Sequence, residues 1–335
     1  MRNSNNGLYY ETKDFIINVK KNKNLKQNIK DFFTWVMYPF LNLFNKIIVH
    51  IHYKKDDDEN KKKYKLVFCS IFKNEGPFLK EWLIYHKILG VEHFYLYNNN
   101  STDNYNVILK PFIEEGVVTL IDWPQKPGQI AAYKHWYDNF RKDCAWCSFI
   151  DLDEFICPKY DYTIWDFIVK HRKYPVIKMD WVMFGSSGIL KHNPDKLVIE
   201  QYESCWNKRG RIGKVLYNCN FDIALFNLNM PHNLTTKIGR FTILPFNDSG
   251  NICLKNGYER VAKNKGSIQM NHYYCKSYDI LQEKVNRGSA AYAVSWKKME
   301  SYKYKEMNCI NKDFTIFRYL QALRIAIKDW DRQHK

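Results

Sequence analysis

No glycine-rich phosphate loop occurs in this chain, whose 14 glycines are spread thinly over 335 residues. That absence disfavours nucleotidyl- and phosphotransferases that cradle phosphate on backbone amides. RNA-recognition, zinc-finger and helix-turn-helix signatures are also missing, so nucleic acid is not an expected partner. Near the N-terminus no short apolar core precedes a small-residue cleavage site, and no secretory signal is expected. Acidic residues are in deficit: 35 Asp and Glu face 52 Lys and Arg, a formal net charge of +17. Such a surplus attracts phosphate-bearing partners such as nucleotide diphosphates or anionic lipid. Cysteines number nine, an odd count, and Cys69, Cys147 and Cys157 sit inside apolar runs. This reads as buried thiols in a reducing, cytoplasmic setting rather than a disulfide framework. Cys144-x-x-Cys147 has no second pair to complete a zinc site and is read as structural.

A long unbroken apolar run is missing as well. Residues 32–51 are aromatic and apolar but are interrupted by Tyr38, Pro39, Asn42, Asn45 and Lys46, which argues against a membrane-spanning helix of about 20 apolar residues. Lysines flank the segment: Lys20, Lys21, Lys23, Lys26 and Lys30 before it, Lys54 and Lys55 after it. Two readings stand. The segment lies in the interface of an anionic membrane, making the protein peripheral on the cytoplasmic face, or it docks on the folded domain.

With 45% hydrophobic and 16% aromatic residues, a sizeable core is available. Residues 1–65 read as a Lys/Asn-rich leader, 66–290 as the main domain and 291–335 as a C-terminal extension with an amphipathic helix over 313–330. Apolar strands at 66–72, 91–97, 117–122 and 146–150 alternate with helices at 76–89, about 101–115 (Ser101 capping) and 128–141. This spacing predicts βαβ units and a mainly parallel α/β sheet. Further strands are expected at 176–181, 197–202, 214–217 and 268–274. Ligands of such sheets bind beyond the carboxyl ends of the strands, where Asn74-Glu75, residues 98–100 and Asp151-Leu152-Asp153-Glu154 fall. Carboxylates one residue apart at a strand end project together. They are costly to gather unless a cation sits among them, and Mn²⁺ or Mg²⁺ suits such oxygen donors. A lone Asp-x-Asp is more often a solvated turn; here three polar strand ends share one rim.

Phe72-Lys73-Asn74-Glu75, Glu81-Trp82, His86, Gly90-Val91, Tyr97-x-Asn99 with Ser101 and Asp103 occur in order. They are followed by Phe149-Ile150-Asp151-Leu152-Asp153-Glu154-Phe155, Trp181 with Phe184-Gly185-Ser186-Ser187-Gly188, Lys214, His272-Tyr273 and Lys276-Ser277. Over about residues 66–290 this series resembles glycosyltransferase family 92 and its bacterial relatives in the broad family 2-like superfamily. The resemblance implies a Rossmann-like GT-A fold with helices on both sheet faces. It also implies a metal-dependent, inverting hexosyltransferase taking a UDP-sugar, galactose among the possibilities, to a glycan or lipid-linked acceptor. Under it Asp153 binds the metal, with Asp151 assisting through water or the donor ribose, and Glu154 faces inward as a supporting acceptor. His272 closes the metal shell or is a packed core residue. Lys214, Lys276 and Arg287 meet the diphosphate, Asn74 and Glu75 the nucleobase, and Asn99 and Asp103 the nucleoside, with Asp103 equally explained as a helix cap. Trp181 and Phe184 form a platform for a sugar face or part of the core. Inversion needs a base, and Asp180 and Glu203 are the candidates. Rival readings are a metal-dependent nucleotidyl- or phosphotransferase and a non-catalytic carbohydrate- or membrane-binding module.

Overall fold

The computed structural model describes residues 25–53, 61–207, 212–228, 230–254, 266–287, 303 and 305–334. The first part of the leader, the basic stretch 208–211 and the start of the C-terminal extension lie outside these residues. Eight strands form the main sheet: β1 (Tyr64–Phe72), β2 (His93–Asn98), β3 (Val118–Asp122), β4 (Cys144–Phe149), β5 (Glu154–Pro158), β6 (Val176–Met183), β7 (Gly213–Asn218) and β8 (Ile268–His272). Their order is β3-β2-β1-β4-β7-β6-β8-β5. Pairing directions leave six strands running one way, with β5 and β7 against them. Those two therefore begin at the edge where the other six end, which brings Glu154 and Lys214 to the carboxyl rim.

The main helices are α1 (Leu25–His52), α2 (Gly76–Ile88), α3 (Tyr105–Glu114), α4 (Gln129–Phe140), α5 (Ile164–His171), α6 (Tyr278–Arg287) and α7 (Leu320–Gln333). β1 shows why the sheet is covered on both faces. Its apolar run Leu66–Phe72 is unbroken but for Ser70, and alternate residues enter different cores. Leu66, Phe68 and Phe72 pack with α2 and α3, whereas Val67, Cys69 and Ile71 pack with Tyr133 and Trp136 of α4. α2 begins with Pro77 in its first turn, where no backbone donor is lost, and the chain turns out of it at Gly90 with φ +94°. α5 starts on a capping box between Thr163 and Asp166. None of the nine cysteines forms a disulfide, and eight are buried.

β5 is an edge strand, and α2 closes its open side. Trp82 Nε1–H donates to the Glu154 carbonyl at 2.8 Å, Tyr85 O–H donates to the Ile156 carbonyl at 2.9 Å, and His86 Nε2 accepts from Ile156 N–H at 3.3 Å. Backbone groups that would otherwise be orphaned beside the acidic turn are thereby satisfied.

Three local expectations are corrected. Residues 198–201 form a short helical turn rather than a strand, because the Glu81 carboxylate accepts from Val198 N–H (2.7 Å) and Ile199 N–H (3.2 Å) and caps it. Ser101 does not cap α3, whose N-cap is Asn104; its hydroxyl accepts from Asn74 N–H instead. The final helix starts at Leu320, after a 3₁₀ turn over Thr315–Tyr319. This C-terminal segment is built into the main domain: Trp330 stacks on Phe112 at 4.0 Å between centroids, and Asn311–Lys312 pairs with Ser204–Cys205.

His86 is fully buried, donating Nδ1–H to the Trp82 carbonyl while Nε2 accepts. Burial holds its pKa down to about 3, so folding selects the neutral ring. It contributes stability above pH 6.5 that drains as pH falls from 6.5 toward 3, by roughly 1.4 kcal/mol per pH unit at most. His86→Gln should flatten the fall of the urea midpoint between pH 6.5 and 4 by about one proton. An unchanged slope would remove His86 from the account.

Candidate active site

The acidic turn is held from within. After β4, Ser70 Oγ–H donates to the Ile150 carbonyl (2.6 Å) and Ile150 N–H donates to the Cys69 carbonyl (3.2 Å). Asp151 N–H then donates to Glu154 Oε2 at 2.9 Å, while Glu154 N–H returns to the Asp151 carbonyl at 3.1 Å. Three carboxyl groups are gathered within four residues, and buried cations neutralise them. Lys214 Nζ, fully buried, lies 2.9 Å from Asp151 Oδ2 and 3.5 Å from Glu154 Oε2. Lys214 reaches this place because Gly213 lets β7 lie tight against β6: a Cβ there would come 1.8 Å from the Met179 carbonyl oxygen. Lys284 of α6 pairs with Asp153 Oδ2 and donates to the Tyr274 carbonyl at 3.0 Å. One turn further on, Arg287 pairs with Glu75 and donates to the Asn74 carbonyl. Lys276 Nζ lies 3.6 Å from Glu75 and 3.8 Å above the Phe78 ring.

The protonation states follow. Burial alone would raise the Asp153 carboxyl, but Lys284, His272 and Lys276 hold it well below the ordinary range. Asp151 is likewise lowered, with Lys214 overcoming burial. Glu154 is the exception, pushed well above the ordinary range by burial against the pull of Lys214. Among the described residues its Oε1 has no hydrogen-bond partner. Glu75 is lowered by Arg287 and Lys276 against burial. Lys214 is raised because Asp151 and Glu154 outweigh burial.

His272 ends β8 with Nε2 at 3.4 Å from Asp153 Oδ1 and Nδ1 at 4.0 Å from Glu154 Oε1. Burial lowers its pKa, so the ring is neutral near pH 7. Trp181 lies between two imidazoles, with ring centroids 4.5 Å from His272 and 5.2 Å from His232. Among the described residues its buried Nε1 has no hydrogen-bond partner. His232 donates Nδ1–H to the Gly213 carbonyl at 2.8 Å, and burial with Lys214 holds its pKa down to about 4. An ionised carboxylate facing a neutral imidazole is the protonation pattern a divalent ion needs, and the donor types suit Mn²⁺ or Mg²⁺. Among the described residues no three His, Cys, Asp or Glu side chains stand together at coordinating distance. Lys214 and Lys284 hold one oxygen each of Asp151 and Asp153.

The rim thus unites Asp151, Asp153, Glu154, His272, Lys214, Lys276 and Glu75, with Trp181 against the two imidazoles. Other residues singled out in the sequence serve the rim's loops. Asn74, at φ +51°, accepts from Thr102 N–H through its side chain. Asn99 donates to the Trp123 and Gln125 carbonyls. Asp103 accepts from Gly76 N–H at 2.7 Å and so caps α2 rather than the helix that follows it in sequence. Phe184 is a core residue. Neither base candidate joins the cluster. Register pairs Asp180 with Gly213 and Met179 with Lys214, so the pleat turns Asp180 to the face opposite Lys214. Glu203 pairs with Lys312. Two residues of the rim were not foreseen. Lys284 precedes Arg287 by three positions on α6, a readable one-turn spacing. His232 lies in an irregular segment with no periodic signal.

A mainly parallel sheet flanked by helices, with its acidic turn at the carboxyl edge, defines a GT-A fold. Residues 64–316 match the model of glycosyltransferase family 92, and the chain belongs to that family. Similar family 92 proteins come from Ricinus communis (27% identical over 73% of this chain and 42% of the relative) and Arabidopsis thaliana (26%, over 76% and 42%). Another comes from Oryza sativa subsp. japonica (26%, over 72% and 38%). The chain spans about two-fifths of the length of these relatives. Among solved structures, S. aureus TarS 1–349 in complex with UDP is similar over 46% of this chain and 47% of that one, at 14% identity and a TM-score of 0.31. Its complex with UDP-GlcNAc is similar over 35% of each chain, at 20% identity and a TM-score of 0.26.

Removing Lys214 leaves the buried Glu154 and the partly exposed Asp151 without their cation. Lys214→Met should cost about 3–5 kcal/mol, read from urea unfolding. Adding Asp151→Asn and Glu154→Leu should recover part of that loss. Strict additivity of the three changes would mean that Lys214 does not act by neutralising the turn.

Proposed function

We propose that this chain is a metal-dependent, inverting glycosyltransferase that moves a hexose from a UDP-sugar to a glycan or lipid-linked saccharide. The observation that carries the reading is the pairing of ionised Asp153 with neutral His272 among the cations Lys276, Lys284 and Arg287, in a member of family 92. Asp151, Asp153 and His272 would hold the ion. Its contribution is to neutralise charge growing on the leaving diphosphate.

The chain's own residues carry the rest. Lys276, Lys284 and Arg287 are placed to exchange carboxylate for phosphate oxygens. Glu75 accepts from a uracil N–H or a ribose hydroxyl. For the base, His232 is the better choice than Asp180 or Glu203. Its Nδ1–H is committed to the Gly213 carbonyl, so Nε2 carries the lone pair. That nitrogen takes the proton from the acceptor hydroxyl as the hydroxyl oxygen bonds to the anomeric carbon and the bond to phosphate breaks. Trp181, beside it, offers an apolar ring to a sugar face.

A donor screen with Mn²⁺, read by thermal shift and nucleotide release, tests the reading. UDP-sugars should be preferred, with free UDP and no phosphorylated product. Preference for GDP or CMP sugars would overturn the role of Glu75. Asp153→Asn should abolish Mn²⁺-dependent UDP binding; indifference would favour a non-catalytic binding module. His232→Gln should lower kcat by about 10²–10⁴ with the donor KM little changed, while Asp180→Asn and Glu203→Gln stay near wild type. The reverse pattern would return the base role to a carboxylate.

A further inference from the structure

α1 is amphipathic in the sense opposite to a soluble protein's surface helix. A stripe of polar residues in its middle faces the protein. Tyr38 O–H donates to the Ile252 carbonyl at 2.9 Å, and Asn42 both donates to Asn251 Oδ1 (2.9 Å) and accepts from Ile252 N–H (3.0 Å). Asn45 accepts from Leu244 N–H at 3.0 Å. Tyr38, Asn42, Asn45 and the buried Val49 recur at four-, three- and four-residue steps, one stripe of a helix. The same residues that interrupt the apolar run in the sequence fasten α1 to the domain. Its large apolar side chains point away: Phe32, Phe33, Phe40, Leu43 and Ile51 are 58–67% exposed. Together with the other exposed positions of α1, they form a patch beyond the few hundred Å² usual on a soluble monomer.

We propose that α1 lies in the plane of an anionic membrane surface, with its outward stripe in the headgroup–acyl boundary and its inward stripe bolted to the domain. Residues 32–52 are long and apolar enough to cross a bilayer. The reciprocal bonds of Asn42 to Asn251 and Ile252 tie the helix middle to the domain and exclude a crossing while α1 is docked. Lipid is favoured over a second copy or a peptide by charge and composition. Five lysines precede the stripe, Lys54, Lys55, Lys61, Lys62 and Lys63 follow it, and the net charge is +17. Phe and Trp with flanking Lys suit the interface of an anionic bilayer. The inference does not depend on the donor or on the catalytic roles above.

The test is flotation of the full chain with phosphatidylcholine vesicles, with and without phosphatidylserine. Wild type should bind the anionic vesicles, lose binding in high salt and be released by alkaline carbonate. The variant Phe33→Ser/Phe40→Ser/Leu43→Ser should partition roughly a hundredfold less, with its far-UV circular dichroism and melting temperature close to wild type. Equal partition of variant and wild type, or no vesicle binding by wild type, overturns the proposal. Retention after carbonate overturns the in-plane arrangement. A wild-type dimer that the variant abolishes, seen by light scattering, assigns the stripe to a second copy instead.

Discussion

A buried ammonium, that of Lys214, is the condition on which the acidic turn rests. Three carboxyl groups inside a turn of four residues repel one another and lose hydration, yet Asp153 and Glu154 are nearly or fully buried. The turn closes because Lys214 arrives between Asp151 and Glu154. Its arrival is a consequence of topology. β7 runs against its neighbours, so its first residues, not its last, reach the carboxyl rim. The glycine before Lys214 lets the strand approach closely enough to deliver it. Had β7 run parallel to β4, its amino end would lie at the far edge of the sheet.

The second dependence is on α2. The turn leads directly into β5, the sheet's last strand, and an unprotected edge beside a charge cluster would admit water to the carboxylates. Trp82, Tyr85 and His86 occupy three successive backbone positions of that edge. Each brings an apolar body and one polar atom, so the edge is both covered and hydrogen-bonded. Glu81-Trp82 and His86, quoted in the sequence as family features, therefore act in scaffolding. Through those backbone bonds they fix the direction in which Asp153 and Glu154 leave the sheet.

The first half of the fold was legible because its signals are local. β1 to β4 are apolar runs bounded by Gly, Pro and Asn, and their alternation with helices dictates parallel order. Legibility failed where a distant side chain decides the outcome. Residues 197–202 have strand composition, but the carboxylate of Glu81, 117 positions from Val198, caps a helical turn there. Asp103 looks like a cap for the helix that follows it and caps α2 instead. Within the site, the acids were legible because one short segment carries them. Their cations come from β7 and α6; for Lys284 the one-turn spacing from Arg287 is the only local signal, and His232 has none. The two readings of residues 32–51 were framed as alternatives, whereas docking of one stripe leaves the other exposed.

The charge arrangement bears on how the proposed donor and ion would enter. Asp151, Asp153 and Glu75 are held ionised, while burial favours a protonated Glu154. Facing them are Lys214, Lys276, Lys284 and Arg287, so the rim carries a small surplus of positive charge. A divalent cation entering alone would enlarge that surplus in a poorly hydrated place and would have to displace Lys284 from Asp153. A diphosphate entering alone would find the cations already engaged with carboxylates. Were the two to enter together, they would exchange partners: Lys284 and Arg287 would pass to phosphate oxygens, freeing Asp153 for the ion and Glu75 for the nucleoside. On this argument the proposed ion and nucleotide would bind as one unit, and α6, which bears both Lys284 and Arg287, would be the element whose contacts change.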